Sequence, residues 1–163
     1  MVGPTNQHIV QEMLDTLKPG QREAIEQIWK TLDQRTRDEH LHRMFFVEGE
    51  GGCGKTYLFN VLLMLCRVNR IEAIPTSSTG VSAIMLGKGA RTVHSAFYIS
   101  RDLQLGDQPR LQWQSPRAQE LRAAKLIIID EITMLNKYVF EMVEMTIRSV
   151  TSPMDPDYHL PFC

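Results

Sequence analysis

Residues Gly49-Glu50-Gly51-Gly52-Cys53-Gly54-Lys55-Thr56 place four glycines within six positions, then a lysine and a threonine. Glycine loses more backbone freedom on folding than any other residue. Such a run is therefore either a loose linker or a stretch whose backbone must go where side chains cannot. Its spacing is G-x-x-x-x-G-K-[ST], and the chemistry of that spacing is phosphate binding. Successive N–H groups curl round a β-phosphate, and a Cβ would block the curl or the anion's approach. Lys55 would reach the β- and γ-phosphates and Thr56 would offer its hydroxyl to Mg²⁺, while the next helix points its positive end at the anion. With glycine near ~7% of residues, a chance match in this length is on the order of one per cent or less.

A phosphate loop needs an acid at the end of a neighbouring strand, and Asp130-Glu131 directly follow Leu126-Ile127-Ile128-Ile129. Asp130 would hold Mg²⁺ through its waters. Glu131 suits a base that orients or deprotonates an attacking water. An acid pair after a strand is otherwise ordinary at a helix N-terminus; behind a phosphate loop the catalytic reading is favoured. The nucleotide expected is ATP. A GTPase would need N-K-x-D, and Asn136-Lys137-Tyr138-Val139 carries valine at the aspartate position, with no D-x-x-G elsewhere.

The elements that must position these residues read as alternating strands and helices. Helices are expected over His8–Leu17 and Gln21–Leu32, divided by Lys18-Pro19-Gly20, the second with Ile25, Ile28, Trp29 and Leu32 on one stripe. Met44-Phe45-Phe46-Val47, between a charged segment and glycine, reads as a buried strand. Lys55 to Arg67 is apolar nearly all round, a helix buried on most sides. A strand at Ile71–Pro75 and a helix at Val81–Leu86 follow, then a long exposed loop over Ser100–Gln119. Leu126–Ile129 is a β-branched run suited to a parallel sheet covered on both faces, and Tyr138–Val150 is helical. The expected fold class is α/β, a parallel sheet flanked by helices.

Bulk properties bound the function. With 163 residues, 43% hydrophobic and 23% charged, the chain can bury a core and does not resemble a disordered one. A net charge of −1 removes any global basic signature for nucleic acid, though a local groove can still be basic. No apolar run approaches the ~20 residues of a membrane span, and the N-terminus lacks signal-peptide character; no membrane partner and an intracellular setting are expected. Cys53, Cys66 and Cys163 are scattered and odd in number, so neither a disulfide framework nor a zinc site is indicated. His40 and His42 read as solvated surface, Cys53 as a small filler, and the nine methionines as core packing.

Four motifs in order resemble the Pif-type (petite-integration-frequency) DNA helicases. Leu126 to Met134 looks like their "DEisM" motif II, with Thr133 for the commoner serine. Ser78-Thr79-Gly80-Val81-Ser82-Ala83 resembles motif Ia, with Ser82 departing mildly. Gly89-Ala90-Arg91-Thr92-Val93-His94-Ser95-Ala96-Phe97 resembles the G-x-T-x-H-S block, and is also similar to helicases of rolling-circle (Helitron) transposons. Leu17-Lys18-Pro19-Gly20-Gln21 stands where the family has "LN-x-x-Q"; Lys18 replaces asparagine, so only Gln21 is carried over, as the residue gripping the adenine edge.

The resemblance implies a RecA-like P-loop domain over residues 17–163, preceded by an N-terminal helical extension over 1–16. It implies ATP-driven 5′→3′ translocation on single-stranded DNA by a monomer, with roles in repair, recombination or telomere maintenance, in the nucleus of a eukaryote. Ser78, Thr79 and His94 would line the DNA path, with Ser77 and Phe97 beside them. For Ser77 to Thr79 a helix N-cap needs the same residues, and His94 also reads as a hydrogen-bonded structural histidine. Leu160-Pro161-Phe162-Cys163 resembles the start of a "PFGG" segment with Cys163 for glycine. On that reading motif III and the second motor domain lie beyond, with arginine fingers worth roughly 10³–10⁵ in turnover, and this piece would not unwind DNA alone. A different P-loop NTPase, such as a small-molecule kinase, would need an acceptor lid and arginines not found in the chain. A nucleotide-binding or degenerate fragment without turnover is the non-enzyme alternative.

Overall fold

The structure, a computed structural model, describes residues 4–32, 43–155 and 158–162. His40, His42 and Cys163 lie outside them. The chain forms two compact units, residues 1–71 and 72–163.

The first unit carries α1 (Pro4–Asp15), α2 (Pro19–Leu32) and α3 (Lys55–Val68). Pro19 opens α2 at a position where a missing N–H is harmless, and the Gln21 side chain accepts the Lys18 N–H at 2.9 Å. Arg22 caps the preceding helix, donating to the Leu14 carbonyl at 2.6 Å. Ile25 and Ile28 are buried and Trp29 and Leu32 half-buried, as the stripe requires. On α3 the buried set is Leu58, Val61, Leu62 and Cys66, with Phe59, Leu63 and Leu65 half-buried. The Thr16 and Tyr57 hydroxyls, 2.6 Å apart, tie the end of α1 to the first turn of α3.

One expected element is absent. Met44 to Val47 pairs with no strand among the described residues, and Phe46 is 70% exposed. Apolar β-forming residues favour extended backbone, but a strand exists only with a neighbour to accept its hydrogen bonds.

The second unit contains an all-parallel sheet in the order β2-β1-β3, from β1 (Ala73–Ser77), β2 (Arg91–Thr92) and β3 (Leu126–Asp130). Parallel strands need crossovers; these carry α4 (Gly80–Met85), α5 (Val93–Phe97) and α6 (Pro116–Ala123), and α7 (Lys137–Val150) follows the sheet. The register aligns Ala73 with Leu126 and Ser77 with both Asp130 and Thr92. The buried Thr76 hydroxyl donates to the Ile128 carbonyl at 2.7 Å, so its polar atom costs nothing in the core. Val139, Val143, Ile147 and Val150 of α7 are buried together with Val93, Ala96 and Phe97 of α5.

The segment expected as a loop to Gln119 ends at Ser115. That hydroxyl caps α6 by accepting the Ala118 N–H at 3.2 Å, and Pro116 occupies the first helical turn. Ser-Pro is a helix start signal that loop composition masks. Arg117, on the same helix, is 8% exposed and donates from Nε to the Ala96 carbonyl at 2.7 Å, fastening α6 to α5. Phe97 is fully buried in this core. Phe97→Ala is therefore expected to cost about 3–5 kcal/mol, measured as a lowered urea midpoint with unchanged slope.

Candidate nucleotide site

In the first unit the glycine run forms a turn, the Cys53 N–H donating to the Glu50 carbonyl at 3.2 Å. Gly52 and Gly54 have φ of 74° and 94°, a region that L side chains rarely adopt. A Cβ on Gly49 would lie 2.6 Å from the Cys53 sulfur, and one on Gly54 would lie 2.7 Å from the Gln21 amide nitrogen. Gly51, by contrast, has open space where a Cβ would go. Backbone conformation thus demands glycine at 52 and 54, while a Cβ at 49 or 54 would meet only side-chain ends. Gly54 is the N-cap of α3 and has no side chain to satisfy the first helical N–H groups. Those donors and the helix dipole face an anion position. Lys55 reaches back over the loop, Nζ donating to the Gly49 carbonyl at 2.6 Å and the Glu50 carbonyl at 3.1 Å. This loop fits a polyphosphate: a glycine-rich backbone with two residues at positive φ, a helix start with no side-chain cap and an ammonium folded over it.

Gln21 comes to the same place from 33 residues away in sequence, Nε2 lying 3.2 Å from the Cys53 carbonyl and 3.3 Å from that of Gly54. A cleft of about 340 Å³ beside the loop is lined by Gln21, Ile28, Phe45, Val47, Cys53 and Lys55 among others.

In the second unit the remaining candidates gather at the carboxyl ends of the three strands, the usual ligand edge of a parallel sheet. Asp130 is 3% exposed, its Oδ1 accepting the Glu131 N–H at 2.9 Å. Its carbonyl accepts from the Ser78 N–H at 3.1 Å and the Ser77 hydroxyl at 3.3 Å. Glu131 is exposed and left-handed, at φ 56° and ψ 38°. A non-glycine residue held there stores strain of order 1–3 kcal/mol, and such strain clusters at working sites. The Ser78 Oγ is buried at this edge without a partner among the described residues. Thr79 caps α4, accepting the Ser82 N–H at 3.2 Å. His94 lies half-buried on the first turn of α5, which Thr92 caps. Asn136 of the near-miss base motif caps α7 through the Tyr138 N–H at 2.9 Å.

Gln21 thus joins Gly49–Thr56 in one unit, while Ser78, Thr79, His94, Asp130 and Glu131 share one sheet edge in the other. The sequence motifs leave out Arg117 and include Thr92 only within the T-x-H-S block, not as a helix cap. The Ser-Pro start of α6 was a signal for the first, and Thr92, three residues before Ser95, for the second. Among the described residues no helix is long and apolar enough to cross a membrane, and no cluster of three His, Cys, Asp or Glu could hold a metal. Mg²⁺ bound largely by phosphates, water and one hydroxyl needs no such cluster.

A parallel sheet flanked by helices, together with a phosphate loop and an Asp-Glu pair after a strand, defines the RecA-like P-loop class. The PIF1-like helicase family model matches residues 16–163, and the chain belongs to that family. It is similar to the ATP-dependent DNA helicase Pif1 of Campylobacter jejuni, 33% identical over 111 residues, covering 64% of this chain and 24% of that protein. A Psychrobacter ATP-dependent DNA helicase Pif1 is 30% identical over 63% of this chain and 16% of its own length. ATP-dependent DNA helicase PIF3 of Trypanosoma brucei is 30% identical over 68% of this chain and 13% of its own. The chain thus spans about a quarter or less of the length of the relatives it matches.

Proposed function

We propose that this chain is the ATP-binding part of a DNA helicase motor, coupling ATP hydrolysis to 5′→3′ movement on single-stranded DNA. Repair, recombination and telomere maintenance are the roles such a motor would serve. The observation that carries the reading is the loop at Gly49–Lys55, where Gly52 and Gly54 hold positive φ and the lysine ammonium lies over the turn. The relatives' names supply the polymer.

Each residue's part follows from its own chemistry. The N–H groups of Gly51 to Thr56 bind phosphate oxygens, and Lys55 exchanges its loop carbonyls for the β- and γ-phosphates. Gln21 reads the adenine edge. Thr56 would offer its hydroxyl to Mg²⁺ and Asp130 would hold the ion through its waters; the ion would supply neutralisation of charge on the transferring phosphoryl group. Glu131 accepts a proton from the water that attacks the γ-phosphorus, and the bond to the β–γ bridging oxygen breaks. Ser78 and His94 contact the DNA backbone and a base; Thr79 would do so only by sharing the hydroxyl that caps α4.

ATP hydrolysis with and without single-stranded DNA, on this chain and on one extended beyond Cys163, tests the reading. Strong DNA stimulation in the extended form is expected. An extended form that binds no ATP, or is indifferent to Lys55→Ala, overturns it.

A further inference from the structure

We infer that Gln21 is a positioning residue for the phosphate loop itself, aiming the Gly54 and Lys55 N–H groups whether or not a base is bound. The inference rests on the reading of that loop as a phosphate site.

A glutamine amide has two N–H donors and a carbonyl oxygen with two lone pairs. Here the oxygen accepts the Lys18 N–H at 2.9 Å, and the nitrogen faces two carbonyl oxygens, those of Cys53 at 3.2 Å and Gly54 at 3.3 Å. The opposite amide orientation would set oxygen against two carbonyls and nitrogen against an N–H, so the contacts themselves assign it. Both donors are spent on the loop, and the capacity left for a base is one lone pair.

The consequence lies in the planar trans peptide, where C=O and the next N–H point in opposite directions. Holding the Cys53 carbonyl turns the Gly54 N–H the other way, and the Gly54 carbonyl, which Gln21 shares with the Leu58 N–H at 3.0 Å, does the same for the Lys55 N–H. Those two donors stand at the start of α3, where the helix dipole favours an anion. Gln21 therefore pulls on the outside of the curl so that its inside faces the phosphate. Gly54 is glycine because of its φ of 94°, and a Cβ there, 2.7 Å from the amide nitrogen, would push the Gln21 amide off the loop. Lys55 holds the other end of the turn through Gly49 and Glu50, but its ammonium is drawn to an arriving phosphate. The Gln21 contacts involve no group that phosphate would take.

The test uses a ligand without a base. Gln21→Glu keeps an acceptor for the Lys18 N–H, so the helix cap survives, while an oxygen faces the two carbonyls. Gln21→Met removes the donors without adding charge. Both are expected to weaken Mg²⁺-tripolyphosphate by about five- to thirty-fold for one or two lost hydrogen bonds, and Mg²⁺-ATP by at least as much. In ligand-free protein both should speed iodoacetamide labelling of Cys53 several-fold relative to Cys66. Cys66 is an internal reference for unfolding, since it is 1% exposed and burial pushes its thiol up to about 11. Loss of ATP binding with tripolyphosphate binding kept and Cys53 labelling unchanged would leave Gln21 a base reader only and overturn the inference. Wild-type protein that binds neither ligand sinks the phosphate reading, and this proposal with it, a result distinct from the former.

Discussion

Lys55→Ala is expected to lower ATP affinity by about 2–5 kcal/mol, roughly thirty-fold or more, measured by titration of a fluorescent ATP analogue. That is the cost of truncating one partner of a desolvated, hydrogen-bonded charge pair. The substitution should leave the fold intact. Its ammonium bonds two loop carbonyls and the Cys53 sulfur on a partly exposed surface, interactions worth about 1 kcal/mol each. Lys55→Arg should not restore binding, because a planar guanidinium cannot replace a compact ammonium over a loop this tight. Wild-type affinity in Lys55→Ala would mean that the loop does not hold the triphosphate.

Glu131→Gln should separate binding from turnover. The amide keeps the size and the hydrogen-bonding oxygen of the carboxylate but cannot accept the proton of an attacking water. Hydrolysis in the extended, DNA-stimulated protein is expected to fall by about 10²–10⁴-fold, with ATP affinity within a factor of a few. A companion, Glu131→Gly, distinguishes chemistry from scaffolding. It relieves the left-handed φ of 56° and should raise stability by about 1 kcal/mol while abolishing turnover equally. Equal hydrolysis in Glu131→Gln and wild type would transfer the base role elsewhere.

The parts of the site legible in the sequence are those whose chemistry is local. A phosphate nest is built from consecutive N–H groups, so Gly49–Thr56 announce it without reference to the rest of the chain. The same holds for the run Leu126–Ile129, where β-branched apolar residues in succession suit a strand covered on both faces, and for α7, where the apolar stripe repeats at the helical period. Ser-Pro at 115–116 was equally local, but lay inside a stretch of Gly, Pro and Gln that reads as loop. Met44–Val47 failed for the opposite reason. Its residues favour extended backbone, yet pairing is the property of a partner strand that no local pattern supplies.

The sequence by itself determined that this chain carries the G-x-x-x-x-G-K-[ST] pattern ahead of a helix and an acid pair after a strand. Those motifs work through atoms adjacent in the chain. Only the tertiary structure decided what Gln21, Thr79, Arg117 and Glu131 do. Gln21 meets carbonyls 32 and 33 residues away, and Arg117 meets one 21 residues away. Thr79 spends its hydroxyl on its own helix, and the turn at the end of β3 forces Glu131 into a left-handed conformation. An amide, a hydroxyl or a carboxylate has several partners open to it, and the fold selects among them by bringing one within three ångströms or so.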